Sequence, residues 1–188
     1  MRPPARRAAA RTALAALAAA LCIGARDVRS FTLGQLVDAS DGAVVGRIDR
    51  RSVEEVDAGD GSPIYFTTLR IEGTDLATGE AETIDVMYPG GFVDERRGAF
   101  NASMPAAHET RVGRGVVVFH DRRDDVVGGL RGELLLGGRA SLFPTFESRR
   151  GATIVQGRGR GYAVSKNVRL TDLQARVREL RRAKRETR

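Results

Sequence analysis

The stretch from Ile64 to Gly91, IYFTTLRIEGTDLATGEAETIDVMYPGG, constrains the fold of this chain more than any other. Ile64, Phe66 and Thr68 alternate against Tyr65, Thr67, Leu69 and Ile71. That period of two, in β-branched and aromatic residues, suits a pleated, half-buried surface. Ile84, Val86 and Tyr88 repeat the alternation until Pro89-Gly90-Gly91 stops it. The link from Gly73 to Glu82 is long enough for a hairpin loop. An isolated hairpin is marginal in water, so other apolar runs must close a sheet around it.

Candidates for those runs lie on both sides. Ala43 to Ile48 predicts a strand, continued extended through Arg50 to Val56 into the loop Asp57 to Pro63. Val116-Val117-Val118-Phe119 is continuously apolar and predicts a buried strand. Val126 to Leu130 and Gly132 to Leu136 predict two more, with glycines suited to barrel corners. Asp121 to Asp125 reads as a charged turn, Phe92 to Arg114 as a long irregular connection, and Leu142 to Phe146, containing Pro144, as a loop before a strand at Ala152 to Val155. Leu33, Leu36 and Val37 have helical spacing ahead of the turn formers Asp38, Ser40, Asp41 and Gly42. Leu170 to Arg188 predicts the one long helix, with Thr171 as N-cap, Gln174 completing a capping box, and the stripe Leu173, Val177 and Leu180 for docking. The expected fold is mostly β: a small antiparallel, OB-like or netrin-like β-barrel with a C-terminal α-helix.

The chain has 188 residues, enough for one core. Its first segment carries arginines and no acid before Asp27, then an apolar run from Ala13 to Ile23. That run is too short to span a bilayer and matches the hydrophobic part of a secretory signal. The expected organisation is a signal peptide over residues 1–25, a barrel domain over 26–168 and a basic helix over 169–188, with export to the periplasm or the extracellular space. Loss of the signal would remove Cys22, the only cysteine, and with it any disulfide or thiolate chemistry. Lipidation at Cys22 is the rival outcome, disfavoured by Leu21 at a position that wants a small residue.

Charge is concentrated at the ends. The four arginines before residue 25 account for four of the net +7, and the segment Arg176 to Arg188 carries a further +5, so the body between is near −2. A basic pI of this origin does not indicate a nucleic-acid-binding fold.

The recurring segments FTLGQLVDASDGAVVGRI, IYFTTLRI, VMYPGG, VGRGVVVF and VVGGLRGELLL, from Phe31 to Leu136, resemble a group of uncharacterised exported bacterial proteins. More distantly the pattern is similar to the netrin-like modules of tissue inhibitors of metalloproteinases, which are five-stranded OB-type barrels, with DGAVVGRI as the first strand and IYFTTLRI as the second. The resemblance implies the fold. It does not carry the inhibitor's activity, because that chemistry needs an N-terminal cysteine and here the mature chain would begin near Arg26 without one.

Residues with chemistry are few. His120-Asp121 after a strand, with His108 in the preceding connection and Asp124 and Asp125 nearby, is where imidazoles and carboxylates gather. Neither three-ligand metal spacing nor a nucleophile placed against a histidine accompanies them. Asp57 to Ser62 has the residue types of a calcium loop without its alternating ligands. The GRGRG run at 157–161 could cradle an anion beside Arg158 and Arg160, though not as a phosphate loop between strand and helix. No catalytic, cofactor-binding or metal residue is therefore assigned, and no cofactor. The expected function is a non-enzymatic binding or accessory module for a protein or envelope partner, contacting it through Asp57 to Pro63 and Phe92 to His108. The alternatives are a small metal-dependent hydrolase using His108 and His120, and a protein held on an anionic envelope surface by Arg176 to Arg188.

Overall fold

The computed structural model describes residues 31–127 and 129–186, so the expected signal peptide lies outside it. Helix α1 (Leu33–Ala39) leads into strands β1 (Gly42–Asp57), β2 (Pro63–Asp75) and β3 (Ala81–Pro89). A small hairpin follows, β4 (Gly91–Phe92) with β5 (Gly98–Ala99), then β6 (Gly115–Arg123) and β7 (Gly132–Leu135). Strands β8 (Leu142–Glu147), β9 (Thr153–Val155) and β10 (Val168–Arg169) precede helix α2 (Leu170–Glu186). The antiparallel pairs β1–β2, β2–β3, β6–β7 and β1–β6, with one parallel pair, β3–β7, form a ring. The molecule is thus a closed five-stranded, OB-like barrel with a C-terminal helix.

Strand β1 makes closure work by serving two neighbours. Its residues from Val44 to Arg47 pair with β2 on one edge and β6 on the other. The register slips between Ile48 and Arg50, a bulge of the kind that bends a strand. Gly46 faces Gly73 across the pair, and a Cβ on either would collide with the backbone opposite. Beyond the bulge β1 and β2 continue together as an arm that ends in the loop before Pro63.

Alternation along the strands sorts the apolar residues into two layers. Val44, Ile48, Leu69, Ile71, Ile84, Val86, Tyr88, Val116, Val118 and Leu135 fill the barrel, joined by Leu142. Ala43, Leu76, Val117 and Phe119 face outward and are covered by Leu36 and Val37 of α1, Leu173 and Val177 of α2, and Phe143 and Val155. Phe119 and Phe143 meet edge to face at 6.2 Å. The continuous apolar run in β6 follows directly: one face packs the barrel and the other packs the helices.

Several local expectations change. Of the expected strand at Val126 to Leu130, the described residues form none, the Val126 amide donating instead to the Leu130 carbonyl at 2.9 Å, while β6 extends to Arg123 through the expected charged turn. Leu142 to Phe146 is a strand, because Pro144 needs no amide where its carbonyl accepts from Gln156 at 2.8 Å. Helix α2 begins at Leu170, so Thr171 lies inside the first turn. A capping box does form at α1, where Thr32 and Gln35 exchange hydrogen bonds at 3.2 and 2.9 Å.

Candidate functional site

The connection Phe92 to His108 is built rather than loose. The Thr67 hydroxyl donates to the Gly90 carbonyl at 2.7 Å and the Gly90 amide to the Tyr65 carbonyl at 2.6 Å, clamping the Pro-Gly-Gly corner to β2. At the tip of the β4–β5 hairpin, the Asp94 carboxylate accepts from the Arg96 and Arg97 amides at 2.9 Å and from Arg97 Nε at 2.8 Å. The Arg96 amide and then Arg97 hold the Asp94 carboxyl below the usual carboxylate range. Arg97 also approaches Glu55 on the β1–β2 arm at 3.9 Å.

This rigid hairpin bares apolar surface. Phe100 is 79% exposed, Phe92 54% and Val93 40%; of the five large exposed hydrophobic residues among the described residues, three are here. The same fold buries Tyr88, Phe119 and Phe143 almost completely. Scattered apolar side chains in water are ordinary, whereas a concentration of them on one ordered element is not. In the adjacent loop, Asp57 accepts from the Gly59 and Gly61 amides at 2.7 and 2.9 Å, and Asp60 from Ser62 at 2.9 Å. Those carboxylates shape a hairpin turn.

His120 belongs to a different region, an end of the barrel. Its Nδ1 lies 2.7 Å from Glu133 Oε2, and its Nε2 is buried without a hydrogen-bond partner among the described residues, pressed against Gly42. Burial pushes the nearby Glu82 carboxyl up, and the charges of His120, Asp75, Arg181 and Glu133 also act on it. Asp41 and Asp121 are neighbouring carboxyls. The Arg122 amide, donating to Asp41 at 2.9 Å, holds Asp41 down, while burial and the Asp41 charge push Asp121 up against the pull of Arg123. A carboxylate-oriented imidazole is a common device for presenting its second nitrogen, but here that nitrogen faces the backbone of β1.

No family model, curated protein or solved structure matches the chain. Its own geometry therefore carries the functional reading. His108 stands exposed in the loop before β6, whereas His120 is enclosed toward the other end of that strand. No group of three or more His, Cys, Asp or Glu residues is arranged for a metal among the described residues. In the basic helix, Arg181 pairs with Asp75 at 2.9 Å and Lys184 donates to the Asp38 carbonyl at 2.8 Å. Arg176 and Arg182 pair with Glu179 and Glu186 along the helix. Arg178 and Arg185 remain exposed. In the GRGRG run the amides of Arg158 and Gly159 donate to Val164 and Ser165, and that of Gly157 to Asn167, so the backbone forms no open cradle.

Sequence reasoning singled out the loop but not its exposed aromatic residues. The signal was present: Phe92 and Phe100 are large apolar residues flanking the charged tetrad Asp94-Glu95-Arg96-Arg97, with no strand period to bury them. Glu133 could not be found, since only the pairing of β6 with β7 brings it to His120.

Proposed function

We propose that the protein is an exported, non-enzymatic binding or accessory module that docks a protein partner in the cell envelope or outside it. Its contact surface is the β4–β5 hairpin with the neighbouring β1–β2 arm. The carrying observation is the exposure of Phe92 and Phe100 on a hairpin whose backbone is already fixed by Thr67, Asp94 and Arg97. Aromatic anchors on a preorganised element bind without a large ordering cost, which is how a few residues come to dominate an interface. The signal-like segment over residues 1–25 supports export, and the resemblance to exported bacterial barrels and netrin-like modules agrees with a binding role.

The test is retention of an envelope partner by wild type and by the double variant Phe92→Ser, Phe100→Ser, with folding checked by circular dichroism. Anchors of this kind are worth about 2 kcal/mol or more each. The variant is expected to stay folded and to lose the specifically retained partner by more than about tenfold. Undiminished retention would contradict the proposal.

A further inference from the structure

Away from the hairpin, a cleft of about 290 Å³ opens beside the outer core layer, lined by Glu109, Arg139, Pro144, Gln156, Arg158 and Tyr162. Its size is near the lower bound of small-molecule sites. One wall is locked. Arg158 donates from Nε and Nη2 to the Leu142 carbonyl at 2.8 and 2.7 Å and from Nη2 to Glu109 at 2.9 Å, with its guanidinium 6.0 Å from the centre of the Phe143 ring. The second oxygen of Glu109 accepts from the Ala106 amide at 2.9 Å. With side chains only 13% and 11% exposed, Arg158 and Glu109 neutralise one another in place.

The other wall is not neutralised. Arg139 follows Gly137 and Gly138, both at φ 65°, where a side chain would be strained, and its amide donates to the Ser103 carbonyl at 2.6 Å. Its Nη2 donates to the Tyr162 hydroxyl oxygen at 3.2 Å. That partner carries no charge, and no carboxylate among the described residues pairs with Arg139, so the cleft keeps a cation uncompensated by them, and the hydroxyl that accepts from Arg139 has a proton to donate. A guanidinium fork beside a hydroxyl donor matches a carboxylate. A dianionic phosphate monoester carries twice the charge that Arg139 can balance, because Arg158 is already neutralised by Glu109.

We infer that this cleft binds a small monocarboxylate, seated on the Arg139 guanidinium and the Tyr162 hydroxyl. The site is separate from the β4–β5 hairpin and does not depend on the partner-binding proposal.

Titrating the full chain with benzoate, and separately with inorganic phosphate, while following backbone amide resonances tests it. Benzoate is expected to shift the amides of Arg139, Gln156 and Tyr162 and to bind more tightly than phosphate. Arg139→Gln should weaken benzoate by about tenfold or more, the scale of losing a charge-assisted hydrogen-bonding partner. Tyr162→Phe, which keeps the ring, should weaken it less, and Phe92→Ser should leave it unchanged. If Arg139→Gln fails to fold, Tyr162→Phe alone decides. The inference is overturned if benzoate does not bind at the cleft, if phosphate binds more tightly, or if binding ignores the substitutions in the cleft.

Discussion

The residue that most sharply conditions the barrel end is Gly42. It pairs with His120 across β1 and β6, and a Cβ at position 42 would fall on the imidazole. The ring cannot simply swing away, because Nδ1 is tied to Glu133 at 2.7 Å and the side chain is 7% exposed. Gly42→Ala should therefore destabilise by about 1 to 3 kcal/mol, the usual cost of overpacking an enclosed site. Urea unfolding is the measurement. In a His120→Ala background, where the ring is gone, the same substitution should cost much less; equal costs in both backgrounds would show that the ring is not what constrains position 42. The capping residue at α1 teaches a related lesson. Thr32-x-x-Gln35 has the spacing of a capping box and forms one, but the sequence reading placed its box at Thr171. Both segments carry the pattern, and only the position at which the preceding strand β10 ends decides that Thr171 is already inside the helix.

At the scale of elements, helix α2 docks by its apolar stripe and by the Arg181–Asp75 ion pair. Leu173 and Val177 are buried, and Arg181 meets Asp75 at 2.9 Å with both side chains about four-fifths enclosed. Burial pushes the Asp75 carboxyl up, but the Thr78 amide, Arg181 and the Ala77 amide outweigh it and hold the group below its usual range. A carboxyl with a lowered folded-state pKa contributes stability above its unfolded pKa and loses that contribution as pH falls through the folded value. Asp75→Asn should thus cost about 1 to 3 kcal/mol at neutral pH. The deficit should shrink steadily below about pH 4. Stability measured from pH 7 downward would contradict this if the gap between variant and wild type stayed constant. Element types were legible where a period repeats: β2, β3, β6 and α2 stand close to where alternation or helical spacing put them. They were not legible where tertiary pairing overrides local chemistry. Pro144 reads as a loop residue, yet β8 needs only its carbonyl, and the glycine-rich Val126 to Leu130 looked strand-like until its amides closed on themselves.

For the whole molecule, closure comes from pairings separated widely in sequence: β1 with β6, and β3 parallel to β7. Hydrophobic alternation indicates that a sheet must close but does not say which edges meet, so the barrel class could be expected while its strand order could not. The same distinction governs the candidate sites. Phe92 and Phe100 are adjacent to readable motifs and were within the loop singled out as a contact surface. The cleft of Glu109, Arg139, Arg158 and Tyr162 gathers residues from separate connections, and only the fold assembles it. Under the proposed function the barrel is a scaffold that holds an aromatic hairpin toward a partner. Hydroxyl-radical footprinting of the full chain, alone and mixed with envelope extract, is the decisive measurement. Phe92 and Phe100 should be strongly oxidised in the free protein and protected in the mixture, while exposed Phe146 on β8 stays reactive. Oxidation of Phe92 and Phe100 that is unchanged by the extract would contradict it.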